Sequence, residues 1–131
     1  MKYDEASPEA DCQNSLADDF PAGTDQRVWQ AVEYMEQNLS RPLTVELVAE
    51  TAGLSSRQLE RLFHHYVKNT PAEYFRRLRL RHARWLLRNT AKAIRDIAME
   101  CGFTDGSHFT KRYKEYYGHS PSRERSIKEL R

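Results

Sequence analysis

Arg57, Glu60 and Arg61 are spaced i, i+3 and i+4, and Ser107, His108 and Lys111 fall within one helical turn of each other. If both stretches are helical, each set lies on one face. A guanidinium donates two parallel N–H bonds to the O6 and N7 of guanine. A carboxylate accepts from the cytosine amino group, and a hydroxyl, imidazole or ammonium can reach either a base edge or a phosphate oxygen. These sets suit the recognition of base edges. The spacing gives Arg57, Arg61, Ser107, His108 and Lys111 that role, with Glu60 either a further reader or a brace for Arg61. Ser55, Ser56, Lys68, Thr110 and Lys114 lie beside them and suit phosphate oxygens. His108 has a second reading, as a histidine packed beside Phe109.

The same residues do not assemble a catalytic site. Ser107 and His108 are neighbours, so on a helix they point about 100° apart. The chain has no phosphate-cradling glycine loop, no metal-ligand spacing and no nucleophile–base pair. An enzyme is not expected, and no cofactor or metal is expected.

The elements that must carry these side chains are helices. Val28, Val32, Met35 and Leu39 have helical spacing behind a cap at Thr24 or Asp25. Thr44 caps a short helix with Val45, Val48, Ala49 and Ala52 on one face, and Gly53 stops it. Ser55 followed by Gln58 is a capping box, and it opens a helix whose inner stripe is Leu59, Leu62, Phe63 and Tyr66. A long helix over about 72–89 buries Phe75, Leu78, Ala83, Leu86 and Leu87. Its other faces carry Arg76, Arg77, Arg79, Arg81, Arg84 and Arg88. Arg79 joins the phosphate set, with Arg76 and Arg84 either phosphate contacts or solvent-facing charges. A short helix follows with Ile94, Ile97, Ala98 and Cys101 inside, then one lined by Phe109, Tyr113 and Tyr116, and a last one over about 122–129. No stretch alternates with period two, so the fold class is all-α.

The short pair of helices occurs twice. At an offset of 49, Val45, Val48, Ala49, Gly53 and Leu54 match Ile94, Ile97, Ala98, Gly102 and Phe103. At an offset of 50, Leu59, Arg61, Phe63, Tyr66, Thr70 and Pro71 match Phe109, Lys111, Tyr113, Tyr116, Ser120 and Pro121. One residue is added at the second turn or at the start of the helix after it. A small residue where helices cross, a glycine in the turn and a large apolar plug behind it make a helix-turn-helix, whose second helix enters the major groove. The units run over about 44–68 and 93–117. A linker helix of about 18 residues spans ~27 Å, which spaces the two second helices for successive major grooves, about 34 Å apart. One chain can then occupy an asymmetric site as a monomer.

Charge agrees with a polyanionic partner. The net charge of +2 over 131 residues conceals an asymmetry: residues 1–24 hold six acids against Lys2, a balance of −5, so residues 25–131 carry +7. Residues 1–24 read as an acidic disordered tail or interdomain linker, and 128–131 as a C-terminal tail. Cys12 and Cys101 form no disulfide framework or metal pair. No apolar run reaches membrane-spanning length, and a cytoplasmic, nucleoid-associated setting without membrane contact is expected. The competing reading is a helical protein-interaction module without sequence-specific DNA binding. RNA binding is disfavoured by the absence of a stacking-aromatic motif.

Leu43–Pro71, Tyr74–Leu80 and Ala83–Leu87, with Ile97–Phe103, Ser107-His108-Phe109 and Gly118-His119-Ser120-Pro121, resemble the AraC/XylS family of bacterial transcription regulators over about 25–127. The resemblance implies seven helices, two helix-turn-helix subdomains on a long linker helix, binding to double-stranded promoter DNA, and activation through RNA polymerase. Two positions depart from the pattern. Ala93 stands where a capping Ser or Thr is common, and Gly106 gives the second reading helix no side chain at its start. Residues 53–63 resemble members whose sensor is a glutamine-amidotransferase-like domain. The chain therefore reads as the C-terminal part of a longer ligand-responsive regulator, monomeric in isolation and able to dimerise at full length. The rival reading is a small regulator without a sensor.

Overall fold

Helix starts follow the local chemistry of their caps. In the computed structural model, which describes residues 19–129, Asp25 accepts from the backbone N–H of Arg27 and opens α1 (Gln26–Gln37). Thr44 accepts from the N–H of Leu47 and opens α2 (Val45–Thr51). Ser55 and Gln58 form the full reciprocal capping box of α3 (Ser56–Val67). Thr70 caps α4 (Pro71–Asn89), with Pro71 in its first turn, where a missing N–H costs nothing. α5 (Ile94–Glu100) starts at Ala93 with no side-chain cap. Asp105 caps α6 (Gly106–Tyr117) through the N–H of Ser107, and α7 (Pro121–Glu129) ends the described chain. There is no strand among the described residues.

The linker helix α4 divides its inner face between two cores. Tyr74, Phe75 and Leu78 pack with α1, α2 and α3. Leu80, Ala83, Leu86 and Leu87 pack with α5 and α6. Each core therefore closes over one helix-turn-helix, and α4 is the wall they share. Burying a Leu or Phe side chain stabilises by about 1.5–3 kcal/mol, so each half carries its own hydrophobic stabilisation.

The two turns are near copies. Ala49 and Ala98 are buried at the crossings, and the N–H groups of Leu54 and Phe103 donate to their carbonyls at 2.9 Å in both units. Gly53 and Gly102 have φ of +70° and +88°, a conformation that costs an L-residue about 1–2 kcal/mol. The additional residue lies in the second turn, which spans 101–105 against 52–55 in the first.

Two expectations change. Residues 1–18 lie outside the described residues, but 19–24 are built into the fold instead of continuing a disordered tail. Phe20 is 4% exposed and packs against Trp29, Phe63 and Tyr74. Asp19 accepts two bonds from Arg81 at 2.7 and 3.1 Å and one from the Tyr74 hydroxyl at 2.9 Å. Aromatic burial and a bidentate pair outweigh the acidic, proline-containing composition of that stretch. Tyr116, expected on the inner stripe of α6, is 39% exposed, and its hydroxyl accepts from Arg77. Tyr117 packs on the core in its place.

Candidate nucleic-acid interface

α3 turns Leu59 and Phe63 inward, fully buried, and this points Arg57, Glu60 and Arg61 to solvent. None of the three makes a side-chain hydrogen bond or ion pair among the described residues; Glu60 does not brace Arg61. Ser55 accepts from Gln58, which leaves its hydroxyl proton to donate. Ser56 is half-buried at the start of α3. Lys68 ends the helix in a left-handed conformation, φ 57°, the position that Gly118 holds in the second unit, and its ammonium reaches the carbonyl of His65.

α6 repeats the arrangement with different chemistry. Phe109 and Tyr113 are fully buried, while Ser107, His108, Thr110, Lys111 and Lys114 are exposed. His108 is tethered: Arg112 Nε donates to its Nε2 at 3.2 Å, and its ring meets Phe103 edge-on at 6.0 Å. It therefore contacts Phe103, not Phe109 as one sequence reading had it. Lys111, Lys114 and Thr110 have no side-chain partner among the described residues.

The arginines of α4 are engaged within the protein. Arg79, expected at a phosphate, faces the junction between the units. Its Nε and Nη2 donate to the carbonyls of Leu39 and Arg41 at 2.8 and 2.7 Å, and its Cζ lies 4.3 Å from the Phe75 ring centre. It also crosses Gly102 so closely that a Cβ there would lie 2.6 Å from Arg79 Cζ and 2.6 Å from the carbonyl oxygen of Leu39. Planar guanidinium geometry and two orphan carbonyls after α1 hold the side chain inward, so it leaves the phosphate set as a brace. Arg77 and Arg81 face Asp19, Arg76 faces Glu73, and Arg84 and Arg88 lie 3.4 and 3.6 Å from Glu124.

Glu124 was not singled out from the sequence. It is 2% exposed and accepts from the Tyr113 hydroxyl at 2.8 Å, with His119 Nε2 at 2.7 Å. Burial pushes its carboxyl up, but the bonds from His119 and Tyr113 and the charge of Arg84 outweigh this and hold it below the ordinary 4.5. It ties α7 to the inner side of α6. Asp105, also missed, was discoverable: at an offset of 50 it matches Ser55, the cap of α3.

This geometry has known counterparts. A family model for a helix-turn-helix domain matches residues 48–127, and the chain belongs to the AraC-type helix-turn-helix family. It is 40% identical over 100 residues to the HTH-type transcriptional regulator ArgR of Pseudomonas aeruginosa, covering 76% of this chain and 30% of that protein. A solved AraC-type transcriptional regulator from Chromobacterium violaceum is 40% identical, with a TM-score of 0.79 over 82% of this chain and 96% of that one. The DNA-binding domain of AdpA, solved with a target DNA, shares the fold at a TM-score of 0.72 and 23% identity over 77% of this chain and 91% of that one. The chain is thus a helix-turn-helix domain of transcriptional regulators, and it spans less than a third of the length of the ArgR relative. No helix among the described residues is long and apolar enough to cross a membrane.

Proposed function

We propose that α3 and α6 enter successive major grooves of a promoter site as one monomeric reader. Arg57, Glu60, Arg61, Ser107, His108 and Lys111 meet base edges. Ser55, Ser56, Lys68, Thr110 and Lys114 meet phosphates. The observation that carries this reading is the repetition of one exposed polar face on two helices whose opposite faces are buried in separate cores. In this reading the chain is the DNA-binding part of a longer, ligand-responsive activator that works with RNA polymerase on the chromosome. The short span relative to ArgR supports it.

Selection of binding sites from random duplex DNA tests the proposal. The expected result is a site with two conserved blocks about 10 base pairs apart. Failure to enrich any motif at moderate salt would overturn it. Within an enriched site, Arg57→Ala or Arg61→Ala should relax the preference at single positions by ~1–3 kcal/mol. Uniform weakening on all sequences would move those arginines to the phosphate set.

A further inference from the structure

The second unit has an opening beside its exposed polar face. An open cleft of about 630 Å³ lies between the start of α5 and the start of α6, lined by Ile94, Arg95, Gly106, Ser107, Thr110 and Lys111. The four polar side chains are exposed and make no side-chain hydrogen bond or ion pair among the described residues. That sets Arg95 apart from the arginines of α4, each of which is held by a carboxylate or a carbonyl. The lining holds two cations, two hydroxyls and no acid.

Gly106 fits the same picture. A Cβ at that position would meet nothing within 4 Å, and the residue does not have a left-handed backbone. Neither packing nor conformation inside the protein requires glycine there. What its missing side chain provides is room at the floor of the cleft, as where a backbone must come close to a ligand.

The repeat supplies an internal control. At the equivalent positions the first unit has Val45, Glu46, Ser56, Arg57, Glu60 and Arg61. The charges there cancel, and Glu46 stands where the second unit has Arg95. Both are exposed at the second position of a seven-residue helix. In a helix-turn-helix the first helix crosses the nucleic-acid backbone while the second reads base edges, so a cation on α5 faces phosphate.

We propose that Arg95 and Lys111, with the hydroxyls of Ser107 and Thr110, form a seat for one DNA backbone phosphate, and that Glu46 denies the first unit such a seat. This rests on the DNA-binding reading above. It moves Lys111 and Ser107 from base readers to phosphate contacts and makes Arg95, which the sequence did not single out, their partner. The second unit becomes the stronger electrostatic anchor of the domain, with His108 left to it as a base reader.

The test is equilibrium binding of the whole chain, by fluorescence anisotropy, to its selected duplex and to a scrambled duplex of equal length, over 50–200 mM salt. Arg95→Ala should weaken both duplexes by the same factor. It should also reduce the slope of log K against log salt by about 0.9, so that across this range the parent chain loses ~3.5-fold more affinity than the variant. Glu46→Arg should move both quantities the opposite way by a similar amount. Circular dichroism melts should show both variants folded with cooperative transitions, their midpoints shifted only slightly by the changed charge in the first helical turn.

Unchanged affinity and slope in Arg95→Ala overturn the seat, as does a loss confined to one base-pair position, which would make Arg95 a base reader. An unchanged slope in Glu46→Arg overturns the account of the first unit. If the parent chain binds the two duplexes equally, the sequence-reading proposal falls, while the slope comparison still decides the seat. If it binds neither, both fall.

Discussion

In the first unit the turn glycine, Gly53, looks onto open space; in the second, Gly102 lies beneath Arg79 and against the carbonyl of Leu39. The two turns share their hydrogen bond and their left-handed backbone. Around them the halves diverge. The first core is closed from the N-terminal side by α1 and by Phe20, which packs against Phe63 on the inner side of α3. The second is closed by α7, whose Glu124 gathers Tyr113, His119 and two arginines on the inner side of α6. One local pattern can thus be supported by apolar packing in one copy and by a buried charge in the other.

The largest expected difference lies at the glycines. Gly53→Ala should cost about 1 kcal/mol, the left-handed penalty alone. Gly102→Ala adds a clash with a carbonyl and a held guanidinium, and should cost about 3 kcal/mol in total. Urea unfolding of the two variants measures both, and equal costs would remove Arg79 and Leu39 from the account of the second turn.

Next comes Glu124→Gln, expected to cost about 2 kcal/mol at neutral pH because the variant leaves arginines and a histidine without their charge partner. Its pH dependence has a definite sign. The folded pKa lies below 4.5, so the native carboxylate contributes stability above the unfolded value that is lost as pH falls through the folded one. Each core has one tryptophan packed on it, Trp29 on the first and Trp85 on the second, so Trp29→Phe and Trp85→Phe chains report on the halves separately. Acid should weaken the half reported by Trp85, and Glu124→Gln should flatten that dependence. An unchanged acid dependence in Glu124→Gln would contradict it.

Smaller effects separate the ends of the helices. Lys68→Gly should stabilise by ~1 kcal/mol, since it places in the first unit the residue that Gly118 supplies in the second. It should also weaken DNA binding if Lys68 meets a phosphate. Stabilisation with unchanged binding would make Lys68 structural only. Ala93→Ser should add a side-chain cap to α5 and gain about 0.5–1 kcal/mol, while Thr44→Ala should lose about as much from α2. Thermal melts of the pair check whether the two helix starts differ only in that hydroxyl.

What could be read from the sequence was what is local. Caps, glycine turns, the apolar stripes and the repeat depend on residues within about four positions of each other, and Thr44, Ser55, Gly53 and Gly102 sit where their residue types require. The exposed faces of α3 and α6 followed from the same periodicity. Partners across the fold did not. Asp19 meets Arg81 from 62 residues away, and Arg79 reaches Leu39 from 40. A row of arginines on a helix gives no sign of which ones face a carbonyl, so Arg79 read as a phosphate contact and Arg95, on a short helix with one basic residue, was passed over. The exchange of Tyr116 for Tyr117 has the same origin. Both fit a helical stripe, and the packing of α4 decides between them.

The clamp of Arg79 over Gly102 also works as a ruler. Leu39 and Arg41 belong to the first half and Gly102 to the second, so this one side chain braces the junction against sliding or swivelling of the halves. DNA turns once in about 10–10.5 base pairs, and a single base pair inserted between the two half-sites rotates one against the other by roughly 35°. If α3 and α6 read DNA as proposed, a domain braced in this way measures spacing as well as letters: a lengthened operator keeps every base it needs and still presents one of its blocks out of phase.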